Sequence, residues 1–126
     1  MKLRNGLLAL SLLIAPTMAS ADYLDVITNS LNDGCSMEEY GKIVEEFRGV
    51  MTSQGYSYTV EIVVPFIGDQ LDGIFWVGRT KDFATFGAES DRWEKALMNS
   101  SSAESKINKK LNGCATNVSR SGSRTM

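Results

Sequence analysis

The sequence predicts an α+β sandwich: a four-stranded antiparallel sheet with two helices on one face, in the order strand, helix, strand, strand, helix, strand. Three observations predict it. Tyr56–Phe66 alternates with a period of two and is rich in aromatic and β-branched residues. Two longer stretches carry apolar residues at helical spacing. The only cysteines, Cys35 and Cys114, fall where the first strand ends and the last begins. Those points are neighbours when the first and last strands pair antiparallel.

The elements follow in order. Residues 1–21 read as a secretory leader. Lys2 and Arg4 form a basic start, Gly6–Ile14 is uncharged and apolar, and Ala19-Ser20-Ala21 supplies small residues at a cleavage point before Asp22. The apolar run falls short of the roughly 20 residues needed to cross a bilayer. The expected working protein is therefore one domain, 22–126, periplasmic or secreted, with no membrane segment after cleavage.

Tyr23–Ser30 alternates loosely and reads as the first strand, and Asn32-Asp33-Gly34 as a turn. Ser36-Met37-Glu38-Glu39 is a capping box. The helix it opens has an apolar stripe of Met37, Tyr40, Ile43, Val44, Phe47 and Met51, and Gly55 is placed to stop it. Tyr56–Phe66 is the second strand. Gly68–Gly73 is a loop, and Ile74–Val77, apolar on both faces, reads as a central third strand. Thr80 or Asp82 caps the second helix, whose stripe is Phe83, Phe86, Trp93 and Leu97. Asn99–Ser102 interrupts it, Ser101 with Glu104 forms another capping box, and Gly113 ends the resumed piece. Cys114–Arg120 reads as a short edge strand, and the polar tail from about Ser119 as frayed. This is the ferredoxin-like βαββαβ arrangement.

Charge and cysteines narrow the function. Beyond Ala21 there are eleven basic and fifteen acidic residues, a net charge of −4. Residues 22–78 carry −8 and residues 79–126 carry +4. An acidic domain of this kind lacks the concentrated basic surface of a nucleic-acid binder, so no nucleic-acid partner is expected. In an exported chain the two cysteines predict a disulfide. There is no histidine. That excludes His-bearing zinc sites, His-ligated haem, and Ser-His-Asp or Cys-His catalysis. No metal site, cofactor or catalytic residue is assigned. Asp25 and Glu61 are two strand carboxylates that could serve in acid–base work if they faced one another. Arg79, at the end of the third strand, could hold an anion or pair with Asp72 or Asp82.

Phe75-Trp76-Val77-Gly78-Arg79, followed by Asp82-Phe83 and Trp93, resembles the third strand and second helix of the dimeric α+β barrel superfamily, which includes small antibiotic-biosynthesis-type monooxygenases. The resemblance implies a homodimer through the open sheet face and a pocket between sheet and helices. In the monooxygenase branch an Asn on the first strand and a Trp on the third help catalysis. Asn29 and Trp76 stand at those places. The branch's haem-degrading members use a His that this chain lacks. The bland alternatives are that Trp76 is a core aromatic and Asn29 meets its own backbone. Asn29, Trp76 and Arg79 are thus the candidate ligand-binding residues. The first function class is a noncatalytic exported domain that dimerises and binds a small apolar molecule or a protein partner. The second is a cofactor-independent, monooxygenase-like enzyme acting on an aromatic substrate.

Overall fold

The computed structural model describes residues 22–69 and 72–126. The leader expected over 1–21 lies outside the described residues.

Strand β1 (Tyr23–Leu31) runs through the middle of a four-stranded sheet. It pairs antiparallel with β3 (Ile74–Thr80) on one side and with β4 (Ala115–Arg124) on the other. Strand β2 (Thr59–Val63) lies outside β3, so the order is β2-β3-β1-β4. Alternation along β1 puts Asp25, Ile27 and Asn29 on the covered face. Leu24, Val26 and Thr28 point to the other.

Helix α1 (Met37–Ser53) begins as its sequence predicts. The Ser36 hydroxyl accepts from the Glu39 backbone N–H, and the Glu39 carboxylate accepts from the Ser36 backbone N–H. Its buried stripe is Tyr40, Val44, Phe47 and Met51; Met37 stays outside. Gly55 stops it with a φ of 76°, a conformation glycine adopts without penalty.

The sheet and helices close on a core of Ile27, Tyr40, Val44, Phe47, Met51, Val60, Ile74, Trp76 and Ile107. Cys35 and Cys114 are joined by a disulfide, with Cα atoms 5.2 Å apart. It fastens the turn after β1 to the head of β4, where Asn32 N–H also donates to the Cys114 carbonyl at 2.8 Å.

Five expectations need correction. First, there are three helices. The predicted second helix is divided into α2 (Phe83–Leu97) and α3 (Ala103–Cys114), so the strict βαββαβ order does not hold. Ser102 accepts from the Ser105 N–H and also donates to the Ala96 carbonyl, turning the chain between them. Second, a helix cap is misplaced by one residue: Asp82, one of the two caps expected for α2, does accept from the Thr85 N–H while Thr80 donates to the Asp82 carbonyl, but the cap of α3 differs. Ser102, not Ser101, caps α3. Third, Gly113 does not end α3, which runs through Cys114 directly into β4. Fourth, β2 stops at Val63. Strand β3 begins at Ile74, opposite Asn29, and its ladder with β2 ends at Val63↔Phe75. Val64 to Ile67 are left without a paired strand, and Phe66 and Ile67 are exposed. Fifth, the tail does not fray. Strand β4 continues to Arg124, held by the ladder to β1, and Thr125 and Asp22 exchange two further hydrogen bonds at 3.0 Å. Among the described residues no helix is long and apolar enough to cross a membrane.

Candidate functional site

Asp25 is opposite a glycine on both sides, Gly78 on β3 and Gly122 on β4. With no side chain at those positions, two aromatic rings lie flat on the sheet. A Cβ at Gly78 would stand 1.8 Å from the Tyr58 hydroxyl oxygen, and one at Gly122 would stand 2.2 Å from that of Tyr23. The Tyr58 phenol crosses Gly78 and donates to Asp25 Oδ2 at 2.8 Å. Trp76 Nε1–H donates to the same phenol oxygen at 2.8 Å. From β4, Arg120 grips Asp25 with two bonds, at 2.7 Å to Oδ1 and 2.9 Å to Oδ2.

Asp25 is 2 % exposed. A buried carboxylate is costly unless paired and hydrogen-bonded, and here both oxygens are occupied. Burial raises the Tyr58 pKa far above its ordinary value, with the Asp25 charge the next cause. The phenol therefore keeps its proton. The bonds Arg120 donates to Asp25 raise its own pKa as well, so the guanidinium stays charged.

Beside this chain of bonds lies a cavity of about 220 Å³ between the sheet and the helices. Strands β1, β3 and β4 bring Asn29, Trp76 and Arg120 to it. Helix α1 contributes Tyr40 and Phe47; α2 and α3 contribute Glu89, Trp93, Glu94, Asn108 and Asn112. The aromatic walls touch edge to face. Phe47 packs 4.8 Å from Trp76 and 5.7 Å from Trp93, centroid to centroid, and Tyr56 lies 6.1 Å from Trp93.

Asn29 is 4 % exposed, and only half of its amide is used. Its Nδ2 donates to the Tyr40 hydroxyl at 3.1 Å, while Oδ1 has no partner. Turning the amide over would exchange the two ends and still leave one of them bare. Burial raises the Tyr40 pKa, so its hydroxyl remains a neutral partner.

Of the residues singled out from sequence, Asn29 and Trp76 come together in this cavity. Arg79 does not. It projects to the other face and donates to Asp22 at 2.8 Å, rather than to Asp72 or Asp82. Asp25 and Glu61 do not face each other either. Asp25 is opposite Gly78 and Glu61 is opposite Val77, and adjacent positions on β3 point to opposite faces. Sequence reasoning missed Tyr58, Arg120 and Tyr40 as polar members of the site. One signal was available: a lone glycine inside a strand marks a close approach, and Gly78 is one. Arg120 had none, because it was read into an edge strand and polar tail.

No protein-family model matches the chain, and no curated protein does. It is similar in outline to solved structures. One is a dimeric protein of unknown function and ferredoxin-like fold from Bacteroides fragilis, with 10% identity and a TM-score of 0.44, over 82% of this chain and 94% of that one. Another is a putative chlorite dismutase, with 15% identity and a TM-score of 0.42, over 83% of this chain and 42% of that one. This chain thus spans less than half of the second protein. The likeness is one of outline and transfers no activity.

Proposed function

We propose that this chain is an exported, noncatalytic binding domain that holds a small, largely apolar molecule between its sheet and helices. The observation that carries the reading is the half-used amide of Asn29 in an aromatic-walled cavity. A buried polar group without a partner costs about 1–3 kcal/mol, so a partner that arrives with a ligand gains what the empty site lacks. The aromatic walls supply the apolar contact, and one polar group fixes orientation. The enzyme alternative is less favoured. Asp25 and Arg120 are bound to each other, and Tyr58 is held protonated between Asp25 and Trp76. None of them is free to move a proton.

The test compares the full chain with the double variant Asn29→Leu/Tyr40→Phe. Removing both partners of a buried bond together is close to neutral for stability. The expected result is an unchanged thermal midpoint with loss of whatever small molecule the wild type carries or takes up. A wild type that carries nothing and binds no apolar aromatic probe would overturn the reading. So would a double variant that binds as well as wild type.

The same reading includes a homodimer. Three helices cover one face of the sheet. On the other, Leu24, Val26, Phe75 and Val77 are half-buried at the centre and Val63 is 46 % exposed at the side. A second copy laid on that face would remove a contiguous apolar patch from water. Light scattering at micromolar concentration should give twice the chain mass, and Val63→Lys should shift it toward the monomer. A monomeric mass at every concentration excludes the dimer.

A further inference from the structure

We infer that the molecule held in this cavity is an aromatic amine, bound ring inward with its ammonium group facing α2; the inference rests on the binding reading above. The argument is a charge balance around the cavity. Asp25, Glu89 and Glu94 line it, against Arg120 alone among cations. Both Asp25 oxygens are taken by Arg120, which uses that guanidinium for a charge already inside the wall. The two glutamates remain.

Glu89 is fixed in place. Its carboxylate accepts from the Ser57 and Tyr58 backbone N–H groups at 2.6 and 3.0 Å and from the Ser57 hydroxyl at 2.8 Å. Those donors are neutral, so its negative charge is held at the wall without a counter-charge. Glu94, one turn and a residue further along α2, is exposed and makes no ion pair among the described residues. Neither of the cations on α2, Arg92 and Lys95, lines the cavity; Arg92 lies over the Tyr56 ring at 4.2 Å and donates to the Gln54 carbonyl.

The deep end has the opposite character. Asn29, Phe47 and Trp76 offer a hydrogen bond and apolar surface, and the only charges beside them, Asp25 and Arg120, are bound to each other. An ionised group there would be desolvated without a partner. A carboxylate at the mouth would meet Glu89 and Glu94; an ammonium would be attracted by both and could lie against the Trp93 face. A neutral phenolic ring inside, its hydroxyl against the free end of the Asn29 amide, and a positive charge outside satisfies both ends.

The probes are three molecules sharing one phenol ring and differing in charge: tyramine, 4-ethylphenol and 3-(4-hydroxyphenyl)propionate. Calorimetric or NMR titration of the full chain should give the order amine, then uncharged phenol, then carboxylate. The amine should lead the carboxylate by about tenfold or more, and the lead should shrink as salt is added. Glu94→Gln, an exposed position, should remove most of that lead and leave 4-ethylphenol unchanged. Three ligands of equal affinity, or a tighter carboxylate, would overturn the amine inference and leave the binding cavity standing. Failure of all three to bind would take the cavity reading down with it.

Discussion

At the scale of single residues, Gly78 decides most. Every bond between β3, Tyr58 and Asp25 requires that no side chain rise from that position. Gly78→Ala should displace the phenol and break both of its bonds at once. The expected loss is about 2–4 kcal/mol, from two buried hydrogen bonds and local overpacking. Tyr58→Phe is the comparison: it removes the bonds without the collision and should cost less. Denaturant melts of the two variants separate these contributions, and a Gly78→Ala protein as stable as wild type would mean that the phenol has another place to go. The residues of the site were unevenly legible. Trp76 and Asn29 stand on strands whose faces could be read from alternation. Arg120 could not be found that way, because its neighbours are uniformly polar and carry no period.

At the scale of elements, two helix starts rest on ionised caps. The bond from the Ser36 N–H, then that from its hydroxyl, holds Glu39 below its ordinary value of 4.5. Thr85 does the same for Asp82, below its ordinary 3.8, through its side chain first and its backbone N–H second. A carboxylate whose pKa is lowered by folding stabilises fully above its unfolded value and loses that contribution as pH falls through the folded one. Asp82→Ala should therefore be less stable than wild type near neutrality, and the gap should narrow at a pH below the carboxylate's ordinary 3.8. Paired urea melts at both pH values check it; a gap independent of pH would mean the cap acts without its charge. Caps such as Ser36 and Glu39 are local and were readable in the sequence. Strand ends were not. Tyr56–Phe66 alternates throughout, yet only Thr59–Val63 has β3 beside it. Strand β4 has almost no strand-like composition, yet forms because β1 offers it a row of backbone partners. Pairing set both lengths, and pairing is not written locally.

At the scale of the whole molecule, the disulfide closes 79 residues of chain into one loop. Replacing both cysteines with Ala should cost about 4 kcal/mol in the chain-entropy account, a large part of a small domain's stability. Thermal melts with and without reductant should show the same fall in wild type and none in the variant. An unshifted midpoint on reduction would show that the cross-link adds nothing to the folded state. The placement of this bond has a mechanical consequence. Asp22 and Thr125 meet at one corner of the sheet, and the cysteines join at the far end of the same two strands. A pull on the two ends would load the β1–β4 ladder one rung at a time, as a zipper. It would peel the edge strand from Arg124 back to Ala115 and then stop against a covalent bond. Only the arms outside the cysteines could pay out under force; the helices, β2 and β3 lie inside the closed loop, but the cavity would lose the wall that Arg120 supplies as β4 peels away.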